Sequence, residues 1–271
     1  MPTDTAPPVI VDRDADRRFR ALAVRRGLDP EARFVGRYVD WEWRHGRHVF
    51  DGAVERIAGR RVLELGCNVG ATAIVLAWLG AEVTAIDPDA GLVEIARANA
   101  ARYGLGDNVT FTHVPDTRRL DDEAGRYDWV SCNSVLEYVP PPALGGVLRE
   151  VDRVLRPGGV AAVLGTSNRL WPREQHGRRW LVNYVPRRLD ALFPGGPPRR
   201  GITALAVRAV LRDYDDLGCA RGGQLFLTLK ERMGVARWKL VAASGACRPL
   251  SRLGVSLGCL APTLTLLLRK R

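Results

Sequence analysis

Arg61-Val62-Leu63-Glu64-Leu65-Gly66-Cys67-Asn68-Val69-Gly70 is the stretch that decides the fold of this 271-residue chain. Val62 to Leu65 is a short apolar run of the kind that forms a parallel strand buried on both faces. The run breaks at Gly66. After Gly70 the apolar pattern resumes from Ala71 to Leu79 as a helix. Strand, glycine turn and helix form the opening unit of a nucleotide-binding α/β fold, in which glycine lets a ligand approach the backbone. A second strand, Glu82 to Ile86, ends in Asp87, 21 positions after Gly66 (87 − 66). An acidic side chain at that tip can accept hydrogen bonds from both hydroxyls of a ribose.

The dinucleotide pattern G-x-G-x-x-G is absent. Glu64, Gly66 and Gly70 read instead as E-x-G-x-x-x-G. This resembles the first motif of class I S-adenosylmethionine-dependent methyltransferases, E/D-x-G-x-G-x-G, with Asn68 in place of the middle glycine. Asparagine tolerates unusual backbone angles better than most residues, so the turn survives the exchange. The resemblance implies that Glu64, Gly66, Cys67, Asn68 and Gly70 surround the methionine end of the cofactor. It places Asp87, with Pro88 beside it, at the ribose.

Composition is that of an ordinary globular protein, with 46% hydrophobic and 26% charged residues. The net charge of +11 is carried mostly by arginine spread along the chain. It is read as a coding bias, because no basic block or RNA-binding signature accompanies it. A nucleic acid partner is not expected. Five cysteines without a C-x-x-C pair argue against a disulfide framework or a zinc ribbon and fit a reducing, cytoplasmic setting. Met1 to Asp16 does not read as a signal peptide. Leu253 to Leu268 is uncharged, but it is short and broken by Gly254, Gly258 and Pro262. It is read as ending in a last buried strand, Thr263 to Leu268, rather than as a transmembrane segment.

Residues 17 to 58 read as helices ahead of the first strand. The cluster Gly36 to His48 carries Tyr38, Trp41, Trp43, His45 and His48, and two readings are open for it. One is a lid over the cofactor; the other is a helix packed on the sheet by its tryptophans. A metal at His45 and His48 lacks a third ligand, and none is expected. Beyond Asp87, a helix spans Ala90 to Tyr103 and a third strand Val109 to Val114. His113 is assigned to strand packing. Asp116, followed by Thr117, matches the position at which the resembling family holds the adenine amino group.

The fourth strand, Tyr127 to Asn133, runs into Ser134-Val135-Leu136-Glu137-Tyr138-Val139. This is similar to the F-D-x-V … V-L-E-H-V segment of quinone-biosynthesis methyltransferases, with Tyr138 where histidine is usual. A proline-started helix from Pro140 ends in Leu155-Arg156-Pro157-Gly158-Gly159, a recurrent signature of the superfamily, before strand five, Val160 to Leu164. The loop after that strand, Gly165 to His176, resembles the T-x-N-R loop of the same group and faces the substrate side, beyond the carboxyl ends of the strands. Trp171 to about residue 200 reads as a substrate-covering insertion. Next come a helix over Ile202 to Asp213, a sixth strand over Gln224 to Leu229 and a helix over 234 to 252.

The expected architecture is a doubly wound α/β domain. Its mostly parallel seven-stranded sheet has helices on both faces, the last strand being antiparallel in the family. An N-terminal helical lid covers 1–58 and a Rossmann-like domain covers 59–271. The resemblance implies methyl transfer from S-adenosylmethionine, leaving S-adenosylhomocysteine, to an oxygen of a small organic molecule. Alternatives are an RNA methyltransferase and a non-catalytic cofactor-binding protein. Asn133 joins the cofactor set. Tyr138, Asn168, Arg169 and Trp171 form the expected acceptor set. A hydroxyl acceptor needs a base, and the candidates are His176, Glu137 and Glu174. An imidazole titrates near neutrality, and of the four histidines only His176 follows strand five.

Overall fold

The computed structural model describes residues 6–193 and 199–271. The apolar run Arg61–Leu65 (β1) pairs in parallel with Glu82–Asp87 (β2) on one side and Tyr127–Asn133 (β4) on the other. Val109–His113 (β3) lies outside β2, and Leu155–Ser167 (β5) outside β4. Thr263–Lys270 (β7) is antiparallel to β5, and the three-residue strand Tyr214–Asp216 (β6) closes the edge. The order is β3-β2-β1-β4-β5-β7-β6. The chain winds outward from β1 in one direction and from β4 in the other. The crevice between their carboxyl ends is where open α/β sheets bind ligands.

Helices cover both faces. Arg13–Arg25 (α1) starts at Asp12, whose carboxylate accepts from the amides of Asp14 and Ala15. Tyr38–His45 (α2) and Arg47–Phe50 (α3) precede β1. Ala71–Trp78 (α4) follows the glycine turn, and Ala90–Arg102 (α5) is capped by Asp89. Pro141–Val154 (α6) has proline in its first turn, where the missing N–H costs little. Ala204–Val210 (α7), Ala220–Arg232 (α8) and Arg237–Arg252 (α9) complete the set.

Side chains alternate across the sheet. Val62 packs with Val39, Trp43, Ile74 and Trp129 on one face, and Leu63 and Leu65 pack with Val130, Leu148 and Val151 on the other. The N-terminal helices share this packing. α2 lies against α4, with Trp43 buried, and α1 lies against α5. Arg102 of α5 stacks on Phe19 at 4.2 Å and meets Asp16 at 2.8 Å.

The sequence-based reading departs from the structure at the sixth strand. Gln224 to Leu229 is helical, within α8, and Leu229 packs on the sheet while Phe226 and Leu227 meet Cys247 of α9. A short continuous apolar run fits a buried strand and a buried helix equally. The actual edge strand carries Asp215 and Asp216 and is too short to show alternation. Strand five extends beyond Val160 to Leu164 because β4 and β7 flank it. Residues 194–198 of the expected insertion lie outside the described residues, as do the first five of the N-terminal stretch.

Candidate active site

The glycine turn sits at the carboxyl end of β1. Gly66 and Cys67 both donate to the carbonyl of Ile86, at 2.8 and 2.9 Å, which fixes the loop to β2. Gly66 has φ +73° and Asn68 has φ +51°, so asparagine takes the left-handed conformation expected of it. The Asp87 carboxylate ties the turn down. One oxygen accepts from the Asn68 amide and the other from the Asp89 amide, both at 2.9 Å. Each oxygen keeps a further lone pair. Burial raises the pKa of Asp87 above the ordinary carboxylate value, against the pull of those two amides.

A Cβ built on Gly66 would lie 2.6 Å from Val135 Cγ2, so a side chain has no room there. Both residues line a cavity of about 590 Å³, together with Pro88, Asp116, Thr117 and Tyr138. That volume falls within the roughly 300–1,000 Å³ of small-molecule sites. Asp116 is half-buried, and Arg118 chelates it through Nε and Nη2, both at 2.8 Å. These bonds hold its carboxyl down at about 2. Cys67 is buried, and burial pushes its thiol far above the ordinary range, as befits packing rather than chemistry.

Behind the turn lies a pair of acids that the sequence reading did not single out as a pair. Glu42 of α2 is 1% exposed and Glu64 of β1 is 2% exposed. Asn133 Nδ2 donates to Glu42 at 2.8 Å and to the Thr72 hydroxyl at 3.2 Å. Tyr38, one turn before Glu42, bonds the same carboxylate. Burial drives the Glu42 carboxyl up to about 7, against those two hydrogen bonds. Burial, and then the charge of Glu42, push Glu64 well above the ordinary range. Glu64 Oε2 has no hydrogen-bond partner among the described residues. Two buried carboxyls with an unspent acceptor call for protons or a cationic ligand. The one sequence signal was an acid between two tryptophans, Trp41-Glu42-Trp43.

The far side of the crevice brings two of the three expected bases together. His176 Nε2 is 3.6 Å from Glu137 Oε1 and 3.3 Å from Ser167 Oγ. The Glu137 side chain is 1% exposed, and its Oε2 has no partner among the described residues. The Tyr138 ring meets His176 edge-on at 5.7 Å and carries the Arg199 guanidinium on its face at 4.7 Å. Glu137, Tyr138, Arg169 and Arg199 line a second cavity of about 700 Å³, which shares Tyr138, Val139 and Pro140 with the first. His176 is not among its lining side chains; it reaches the cavity through Glu137 and Tyr138.

Other expected residues are spent on the fold. Both amide hydrogens of Asn168 go to the carbonyls of Cys259 and Ala261, and its oxygen accepts from Leu170. It therefore secures the loop after β5 and has no donor left for an acceptor molecule. Trp171 is 37% exposed, with its carbonyl held by Asn183. Glu174 is buried and accepts from the His176 and Gly177 amides, which positions His176 but leaves Glu174 poorly placed to act as a base. His113 contacts the Pro88 carbonyl at 3.1 Å. His45 stacks on Trp41 at 4.7 Å, and His48 bonds the Arg44 carbonyl. Among the described residues no three His, Cys, Asp or Glu side chains gather as a metal site.

A protein-family model described as a methyltransferase domain matches residues 62–159. The chain is 29% identical over 185 residues to the ubiquinone biosynthesis O-methyltransferase of Erwinia tasmaniensis, covering 65% of this chain and 71% of that protein. It is 34% identical over 155 residues to the protein of that name from Bordetella pertussis, covering 57% and 61%. For the one from Psychrobacter arcticus the figures are 36% over 113 residues, 42% and 43%. The chain thus spans from under half to about seven-tenths of the length of these relatives. Among solved structures, a SAM-dependent methyltransferase from Methanosarcina mazei superposes with a TM-score of 0.46 at 21% identity, covering 58% of this chain and 80% of that one.

Proposed function

We propose that this chain is a class I S-adenosylmethionine-dependent methyltransferase that methylates an oxygen of a small organic molecule held in the second cavity. The observation that carries the reading is the glycine turn. Gly66 has no room for a side chain, and Asp87 stands next to it with lone pairs to spare, both at the β1/β4 crevice.

The residues present fit the cofactor. Asp87 would accept from the ribose hydroxyls, and Gly66, Asn68 and Gly70 would let the ligand lie against the backbone. Pro88, Asp116 and Thr117 would border the adenosine. The acid pair Glu64 and Glu42, steadied by Asn133, would receive the ammonium of the methionine end. Bound S-adenosylmethionine supplies an electrophilic methyl group on a sulfonium. The chain's own work is to hold the acceptor oxygen in line and to take its proton. We assign the proton to the His176–Glu137 pair, with Glu137 facing the cavity and His176 behind it. Tyr138 and Arg169 would border the acceptor; Trp171 does not line that cavity. The tight bond of Asp116 to Arg118 means that an adenine contact there competes with a neighbour already in place.

Two domain limits go with this reading, 1–58 as helical cover and 59–271 as the methyltransferase domain. A cytoplasmic location fits the five unpaired thiols. Among the described residues no helix is long and apolar enough to cross a membrane. The test is calorimetric titration with S-adenosylhomocysteine, followed by an acceptor screen with methyl-labelled cofactor. Phenols and other hydroxyl compounds should take up label. Absence of cofactor binding would overturn the reading, and label found only on amines would overturn its oxygen specificity.

A further inference from the structure

Helix α9 has two apolar faces and only one of them is covered. Leu240, Ala243 and Cys247 turn inward and pack on Phe226 and Leu227 of α8. Trp238, Val241, Ala242, Gly245 and Pro249 recur at i, i+3, i+4, i+7 and i+11, which is the opposite face, and all are exposed. Trp238 is 71% exposed, Val241 64%, and Leu253 just past the helix 76%. Scattered exposed apolar residues need no explanation, but a stripe on one helix face marks an interaction surface.

Its charge is one-sided. From Arg232 to Leu253 there are five cations, Arg232, Arg237, Lys239, Arg248 and Arg252, and no acid; no Asp or Glu occurs from there to the end of the given sequence. Among the described residues none of the five has a carboxylate within 4.0 Å, the limit for an ion pair. At 100° per residue, Arg237 and Arg248 lie along one flank of the apolar stripe and Lys239 along the other. Lys239 Nζ sits 5.4 Å from the Trp238 ring.

We propose that the outward face of α9 docks on an anionic lipid surface, lying in the plane of the interface. An apolar stripe that begins with tryptophan and has cations on both flanks is the pattern of a helix that inserts shallowly between headgroups. The cations meet lipid phosphates, and the apolar side chains leave water for the acyl boundary. A second copy of the chain fits poorly, because a two-fold pairing would set each cationic flank against another with no acid between them. The inference is independent of methyl transfer.

The full chain is sedimented with vesicles of neutral phosphatidylcholine and with vesicles containing phosphatidylglycerol. Binding is expected only to the second kind, weakening as salt rises. A Trp238→Ala, Val241→Ser double variant should lose it by about tenfold or more, since each removes an exposed apolar side chain that would leave water on docking. Arg237→Gln with Lys239→Gln should also lower it. Unchanged binding of S-adenosylhomocysteine by these variants serves as the check on folding. Three results would overturn the proposal: no binding to the anionic vesicles, equal binding by the Trp238 and Val241 variant, or a doubling of mass in solution that the same variant abolishes. The last would assign the stripe to self-association, and capture of an acidic protein without vesicle binding would assign it to a protein partner.

Discussion

Glu42→Gln tests whether the acid pair behind the glycine turn is what the structure makes it. Glu42 of α2 faces Glu64 from β1 and Asn133 from β4, with Tyr38 on its own helix. Its carboxyl rises from the ordinary 4.5 to about 7. The folded state therefore holds this proton more tightly than the unfolded chain does. The stability this contributes is fully present below about pH 4.5 and is lost as pH rises through about 7, where a buried carboxyl must ionise. The difference is worth about 3 kcal/mol. Glu64, raised by burial and by Glu42, acts in the same direction at higher pH. Glutamine keeps an acceptor for Asn133 and never ionises. The variant should match the parent near pH 4.5 and exceed it at pH 8 by up to about 3 kcal/mol, roughly 5–10 °C in Tm for a chain of this size. Calorimetric or urea unfolding without ligand, at both pH values, reads the difference. The same variant should bind S-adenosylhomocysteine more weakly by about 1.5–3 kcal/mol, the range for a hydrogen bond to a charged group. The parent should also release a proton on binding, seen as a heat that varies with the buffer. Parallel stability profiles for parent and variant would refute the reasoning about burial. Unchanged affinity would remove Glu42 from the cofactor's ammonium.

Asp87→Ala should weaken cofactor binding by about 1–3 kcal/mol in a folded protein, and unchanged affinity by calorimetry would take the ribose elsewhere. Gly66→Val forces a β-branched residue to φ +73° and a Cβ to within 2.6 Å of Val135, so binding should vanish while circular dichroism keeps the helix and sheet signal. His176→Ala, His176→Gln and Glu137→Gln should each lower turnover by about a hundredfold or more with cofactor affinity level. Near-normal turnover in the histidine variants with a large loss in Glu137→Gln would make Glu137 the base acting alone.

The local signals were legible because each is a property of neighbouring residues along the chain. The run Val62 to Leu65, the break at Gly66, the helix after Gly70 and Asp87 at the end of β2 can be read from a window of about thirty residues, as a βαβ unit allows. The structure bears out the left-handed Asn68, the proline-started α6 and the antiparallel last strand. The departures come from contacts at long range. Gln224 to Leu229 is helical because α9 and the sheet cover two sides of it, and an apolar run does not record how many sides will be covered. Asn168 matched a loop motif, yet its donors are taken by carbonyls more than ninety residues away. Glu42 carries no signal of its own between two tryptophans, and it is β4 that brings Asn133 against it across 91 positions. His176 and Glu137 were candidates read from separate loops, and the carboxyl ends of β4 and β5 make them neighbours. The sequence alone determined the units around the glycine turn and the chemistry they carry. Tertiary structure alone decided which carboxyls lose their water, and with it their ordinary acidity, because burial is set by whatever packs from elsewhere in the chain.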